Sequence, residues 1–355
     1  MGTLIVDLKS VARTQENVAI YIANGHGAWE AALSNTHKRG DKVLVLATGR
    51  FAHGWAEMAE KVGVSCDILE FGNASDVDLT RFADALAADK AHRYASVLVT
   101  HVDTSTSVKN DVAAIEKVLR DSGHPALYMV DCIASLACDR FEMDAWGADV
   151  VVAACQKGLM TPPAMAFVYF NEKADARRGK IEHVSHYWDW RPRANPQDFY
   201  QYFCGTAPTH HLYGLREAFD IIAEEGLEAV WSRHQKLASA VWAACDAWAT
   251  DGPLKLNISD PKKRSCAVTT VSIGSAIGTD LRNWLTHEAG VTLGIGLGMA
   301  EGRSSDAHFR IAHMGHVNAH MVLGTLASIE AGLKALNIPH GKGAIAAAAQ
   351  ICAAG

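Results

Sequence analysis

Lys157 stands at the end of the apolar run VVAACQK, with Gln156 beside it and a Pro-Pro turn a few residues on. Lysine is rarely held among apolar strands because its ammonium is costly to desolvate. One that is held there can act as nucleophile and proton carrier. The plainer reading is an exposed loop lysine. Upstream, ALYMVD ends an apolar run on Asp131. Carboxylates at strand ends project into the cleft of an α/β sheet, although an N-cap or turn aspartate has the same local sequence. In ANGHGAWEAAL, residues Asn24 to Gly27 make a small-residue turn ahead of a helical segment. Free N–H groups and the helix dipole converge at such a turn, which suits an anion, while an ordinary capped glycine turn also fits. TGRFAHGW offers Phe51 or Trp55 to lie over a flat ring, if neither is simply core. THVDTSTS puts Thr104 and its neighbours after another strand, as donors to a ring hydroxyl or as an ST-turn. HFRIAHMGH sets Arg310 in an otherwise apolar strand, where its planar fork needs an anion: a substrate carboxylate or an internal Asp or Glu. His313, in the same strand, reads as structural.

A lysine for an imine, an acid for a ring nitrogen, donors for a phosphate and an aromatic over the ring are the needs of pyridoxal-phosphate (PLP) chemistry. No one of these features identifies it; their order and spacing together point there.

These residues need a scaffold that gathers them. Apolar runs at Val18, Val43, Ala95, Ala126 and Asp149 alternate with amphipathic stretches. That pattern predicts an α/β fold with a mostly parallel sheet, with ligands at the carboxyl ends of its strands. From about Thr209 a long helical stretch, HHLYGLREAFDIIAEEG into LEAVWSRHQKLASAVWAACDAWATDG, leads to strands at CAVTTVSI and HFRIAH and a helix from Ala319 to Leu336. The reading is a large cofactor domain, 1–225, and a smaller α+β domain, 226–355, with the Ala-rich tail packed as a helix.

Composition narrows the class. The chain has 355 residues, 49% of them hydrophobic, and a formal charge of −6, enough to bury a sizeable core. No apolar stretch approaches the roughly 20 residues of a membrane span, and the start is not a secretory signal. Charge is dispersed, so neither nucleic acid nor membrane is an expected partner. Eight scattered cysteines without a C-x-x-C pair suit a reduced, cytoplasmic protein. The 17 histidines do not suggest a metal site, since His210-His211 is adjacent spacing that splays the rings about 100° apart on a helix.

Taken in order, NGHGAWEAAL, GDKVLVLATGRFAHGW, THVDTSTSVKND, PALYMVDCIASL, MDAWGADVVVAACQKGLMTPP, LYGLREAF and FRIAHMG resemble the class V aminotransferases, above all the alanine/serine–glyoxylate group. The resemblance runs from about Glu16 to Ile345 and implies the fold type I architecture with PLP as cofactor. It implies that Lys157 links to the cofactor and shuttles the substrate α-proton, and that Asp131 pairs with the ring nitrogen. Thr104 is implied at the ring hydroxyl and Phe51 on the ring face. Gly25, His26 and Gln156 are implied at the phosphate, with Thr206 of GTAP reaching the phosphate of a neighbouring subunit, hence a homodimer or dimer of dimers. Arg310 is implied at the substrate α-carboxylate. The implied reaction passes an amino group from serine, alanine or aspartate to a 2-oxoacid, glyoxylate first. RIAHMGH and HGKGAIAAAA are also similar to pyridoxamine–pyruvate aminotransferase, the alternative within the family. A class V lyase such as a cysteine desulfurase is disfavoured, because Gln156 precedes the lysine where those enzymes carry His, and Cys266 has no loop signature. Relatives begin with several tens of further residues, including a G-P-x-x-x-P loop, so part of the substrate pocket and dimer contact is expected to be missing. A folded but inactive form is the remaining alternative. NGHG stands where S-G-x-G is common, Ala154-Cys155 where Gly-Ser is frequent, and QYFCGTAP is irregular before Thr206.

Overall fold

The computed structural model describes residues 1–275, 277–299 and 302–354. Runs of β-branched and aromatic residues form a seven-stranded sheet: β1 (Asn17–Ile22), β2 (Lys42–Ala47), β3 (Ser65–Glu70), β4 (Tyr94–Thr100), β5 (Leu127–Asp131), β6 (Val150–Ala154) and β7 (Met165–Phe170). Their order is β1-β7-β6-β5-β4-β2-β3. β7 is antiparallel to both its neighbours, and the pairs among β6, β5, β4, β2 and β3 are all parallel. β1 therefore runs with β6, and every strand except β7 ends at the same edge. The mostly parallel α/β expectation holds.

The central strands β5, β6 and β7 are buried throughout, which is why they read as unbroken apolar runs. The five apolar runs marked in the sequence are β1, β2, β4, β5 and β6; β7 and β3 are not among them. β3 lies at the sheet edge and buries no residue fully, with Ser65, Ile68 and Glu70 exposed and the other three half-buried, so it carries no apolar block.

Helices cover both faces. On one, α2 (Gly25–Thr36) and α3 (Arg50–Lys61) pack Trp29, Leu33 and Trp55 against Val45, Met129 and Val152. On the other, α1 (Gly2–Ala12) and the helix Thr209–Glu225 pack Leu8, Phe219 and Ile222 against Ile20, Val99 and Val151. The long helical stretch of the sequence divides at Gly226, whose φ of +83° a side chain rarely adopts. The second helix, Leu227–Ala249, starts with Leu227, Val230 and Trp231 in the larger core. It continues with Leu237, Val241 and Trp248 in another core.

That other core lies under a four-stranded antiparallel sheet of β8 (Lys255–Leu256), β9 (Val268–Ser272), β10 (Gly294–Ile295) and β11 (His308–Ala312), in the order β10-β11-β9-β8. Helices Ala319–Ala335 and Ala344–Ala353 complete it, the tail burying Ala344 and Ala348. None of the eight cysteines is paired. Among the described residues no helix is long and apolar enough to cross a membrane.

Candidate active site

A cavity of about 240 Å³ opens where β1, β2, β4, β5 and β6 end. Each of those strands hands it a short segment, so residues scattered between Asn24 and Lys157 meet at one place. A larger hollow, about 620 Å³, lies on the outer side of α2 beside Lys38, Arg39 and Lys180; it contains none of the residues singled out in the sequence.

The segment after β1 supplies the N-terminus of α2. Asn24 caps it, its side-chain oxygen accepting from the N–H groups of His26 at 3.1 Å and Gly27 at 3.4 Å. Gly25 lies so close to the chain after β5 that a Cβ there would come within 2.4 Å of Ile133 Cδ1. The helix end, with the positive pole of its dipole, is thereby pressed onto the cavity wall.

Asp131 is the last residue of β5 and only 4% exposed. Its Oδ1 accepts from the Ile133 N–H at 2.7 Å and its Oδ2 from the indole N–H of Trp29 at 2.9 Å. Burial pushes its carboxyl up to about 7, with nearby Asp103 adding to the rise; the two hydrogen bonds and Lys157 oppose it. Even so, the acid stays poised near neutrality, where a cation placed against it would ionise it fully.

Lys157 follows β6 on a turn built around glycine. At Gly158 a Cβ would meet the Leu136 carbonyl oxygen at 2.1 Å, so no other residue fits there without moving backbone. Gly315, with φ +83°, approaches from the smaller unit; a Cβ on it would come within 3.4 Å of the Lys157 carbonyl oxygen. Gly315 is itself fixed, its N–H donating to His234 Nε2 at 3.0 Å and its carbonyl accepting from Arg233 at 3.0 Å. Among the described residues Lys157 Nζ has no hydrogen bond or ion pair. Burial draws its pKa down and the charge of Arg310 draws it further, with Asp131 opposing. Gln156, next to it, keeps a buried side-chain oxygen without a partner. Turning the amide over presents its NH₂ group to the same space.

Phe51 lines the cavity from the first turn of α3. Its backbone N–H and that of Ala52 donate to the buried Asp103 carboxylate at 2.9 and 3.3 Å, which fixes the loop after β2 to the loop after β4. Trp55, the other aromatic considered there, is 1% exposed and stacks on Trp29, so it belongs to the core. Thr104 lines the cavity, and its carbonyl accepts from Arg310 Nη1 at 3.0 Å. Arg310 also donates from Nε to the Ile295 carbonyl at 2.7 Å. Both of those partners are carbonyls, and among the described residues Arg310 makes no salt bridge with an Asp or Glu. Burial pulls its pKa down while Asp103 counters. The guanidinium is held in place by these two carbonyls without a direct ion pair among the described residues.

Lys157, Asp131, Phe51, Thr104, Gln156, Gly25 and His26 thus line one cavity, with Arg310 bonded to its Thr104 wall. Thr206 does not line it; it is exposed on the loop before the helix Thr209–Glu225. Sequence reasoning missed Trp29. The available signal was its place one turn beyond Gly25 on the same face of α2.

Comparison with known proteins agrees with this geometry. The class V aminotransferase family profile matches residues 10–316. The chain is 34% identical to a serine–glyoxylate aminotransferase of Hyphomicrobium methylovorum, over 97% of this chain and 84% of that one. It is 35% identical to an L-aspartate–glyoxylate aminotransferase of Paracoccus denitrificans, over 96% and 84%. Its fold superposes on the ureidoglycine–glyoxylate aminotransferase of Bacillus subtilis with a TM-score of 0.88 at 26% identity, covering 99% of this chain and 88% of that one.

Proposed function

The chain belongs to the class V aminotransferases, and on that footing we propose that it moves the amino group of a small amino acid (serine, alanine or aspartate) to glyoxylate, using PLP held by Lys157 and Asp131. One observation carries this reading: a lysine without a partner among the described residues and a buried, neutrally poised carboxyl open on the same cavity, beside a helix N-terminus. The donor set fits the cofactor. The capped helix end with Gly25 and His26, and the unpaired Gln156 amide, suit a phosphate; Phe51 suits a ring face; Thr104 suits a ring hydroxyl.

When bound, the pyridoxal ring supplies the electron sink for loss of the amino acid's α-proton. The protein's part is positional and electrostatic. Asp131, ionised against the ring nitrogen, holds a proton on that atom. Lys157, with its pKa drawn down, has more of its amine neutral near pH 7, ready to bond carbon and then to carry the α-proton between positions. Arg310, pinned by two carbonyls, presents its remaining N–H groups to the substrate carboxylate in a planar fork. The placement of Thr206 supports a homodimer in which this residue reaches the phosphate of the other subunit. It is exposed, and its neighbours Phe199, Tyr200 and Tyr213 are 57%, 55% and 79% exposed, an unusual amount of aromatic surface.

The test loads the protein with PLP and incubates it with serine, alanine or aspartate in turn. The oxoacid formed is measured, glyoxylate is added, and the glycine produced is counted. One of the three is expected to give both products in equal amounts. No glycine from any of them, or alanine formed only from pyridoxamine with pyruvate, would overturn the glyoxylate assignment.

A further inference from the structure

Resting on the PLP reading above, we infer that Trp29 is a positioning residue for the Asp131 carboxylate. Its indole N–H fixes one carboxylate oxygen and favours the ionised form, so the other oxygen stays aimed at the cofactor's ring nitrogen. The bond runs from Trp29 Nε1 to Asp131 Oδ2 at 2.9 Å, and both groups are shielded from water, at 1% and 4% exposure. An indole N–H only donates, and a carboxylate only accepts. The bond is stronger to the ionised carboxylate than to the neutral acid, so it favours ionisation.

The ring has little freedom to leave. Trp29 stacks on Trp55 with centroids 6.1 Å apart and planes 13° from parallel. His26 and Phe51 meet it edgewise, at 4.7 and 6.3 Å. Gly54 lies against its far edge, where a Cβ would come within 3.2 Å of Cζ3. Trp29 also shares its helix with Gly25 and His26, so one rigid element carries the turn at the phosphate end and the donor at the nitrogen end. The spacing between those two ends is then set by helix geometry.

The charged groups facing Asp131 from its neighbours are Lys157, which favours its ionisation, and Asp103, which opposes it; the buried Cys132 thiol follows in the chain. Ile133 supplies the other donor from its backbone N–H, which side-chain substitutions other than proline leave in place. Trp29 is accordingly the side chain whose loss would be felt most directly at the carboxyl.

The experiment follows the Asp131 carboxyl by ¹³C NMR in cofactor-free protein, with the signal assigned through Asp131→Asn. Trp29→Phe keeps an aromatic ring and removes the donor. Its carboxyl midpoint is expected to rise by about one unit or more, the size that one hydrogen bond to a charged group produces. Trp55→Phe is the packing control, because the Trp55 indole nitrogen has no partner and its loss takes no donor from Asp131. An unmoved midpoint in Trp29→Phe, or an equal rise in both variants, overturns the inference. With cofactor bound, Trp29→Phe is expected to lower kcat about tenfold while KM for the amino donor changes much less. It should also shift the pH at which the visible cofactor band titrates. If Trp29→Phe does not fold, the wild-type indole proton serves instead. It is expected to titrate with the same midpoint as the carboxyl, and a resonance indifferent to that pH range contradicts the inference. The cofactor-free readouts do not depend on PLP, so a wild type that never forms a cofactor band would defeat the functional reading and leave the Trp29 result to be judged on its own.

Discussion

Polar groups are buried in two quite different ways in this molecule. Away from the cavity most are matched, with Trp55 Nε1, Thr100 Oγ1, Trp231 Nε1 and Arg282 Nε the exceptions among the described residues. His37 Nε2 meets Ser96 Oγ and its Nδ1 meets Thr36 Oγ1, both at 2.8 Å. His313 meets Thr269 Oγ1 and the Cys266 carbonyl, also at 2.8 Å. Burial holds both imidazoles neutral, down to about 4. At the cavity the accounting is left open: among the described residues Lys157 has no partner and Gln156 keeps an unpaired oxygen, and Asp131 sits at about 7. The first pattern is what a stable core requires. The second stores unsatisfied charge and hydrogen-bonding capacity that a ligand can complete. What sets the cavity apart is that its unmatched groups are gathered in one place, beside a buried lysine and a raised carboxyl.

The sharpest way to break this division is Lys157→Ala. It is expected to take amino transfer below detection while thermal stability shifts by no more than about 1 kcal/mol, since a desolvated cation without a partner stabilises little. A large loss of stability in calorimetry would place Lys157 with the structural group.

The pH response comes next. Asp131 binds its proton more tightly folded than unfolded, its value being raised from 3.8 to about 7. Its ionisation therefore withdraws stability from the cofactor-free protein as pH rises from about 4 to about 7, by up to roughly 4 kcal/mol. A positively charged ring nitrogen against Asp131 reverses that loss. The difference in melting temperature between loaded and cofactor-free protein is expected to widen over this window, and Asp131→Asn is expected to flatten it. The buried histidines act with the opposite sign. His37 and His313 contribute stability that is complete above about 6.5 and lost as pH falls toward 4.

Arg310→Lys should weaken amino-acid binding by about tenfold or more, because an ammonium cannot reproduce the fork to a carboxylate, an interaction of roughly 1.5–3 kcal/mol. Steady-state KM should rise with kcat less affected; the reverse split would argue that Arg310 does not grip the substrate. Thr269→Val tests the matched region. It strands His313 Nε2 and the Trp242 indole N–H, which donates to Thr269 at 3.1 Å. The expected cost is about 1–3 kcal/mol in denaturant unfolding with unchanged kinetics.

Much of this was legible in the sequence, and the exceptions share a cause. Asp131 and the strand ahead of Lys157 could be read because their apolar runs stop where parallel strands stop, and ligands gather at those ends. β3 could not, since an edge strand needs no apolar block. Trp29 reads as one more core aromatic on a helix. Only the crossing of α2 over the end of β5 turns its N–H toward the acid. The partners of Arg310 were likewise hidden. The strand gives the burial, but the carbonyls of Thr104 and Ile295 reach it from 206 and 15 residues away. Local pattern carries periodicity and strand ends; it does not carry the angle at which two elements meet.

The most direct test of the central claim is chemical. The PLP-loaded protein is reduced with borohydride, digested, and searched by mass spectrometry for the cofactor's added mass. The account predicts stoichiometric label on the peptide containing Lys157, lost when the amino donor is added before reduction. Label on another lysine, or none, would contradict it.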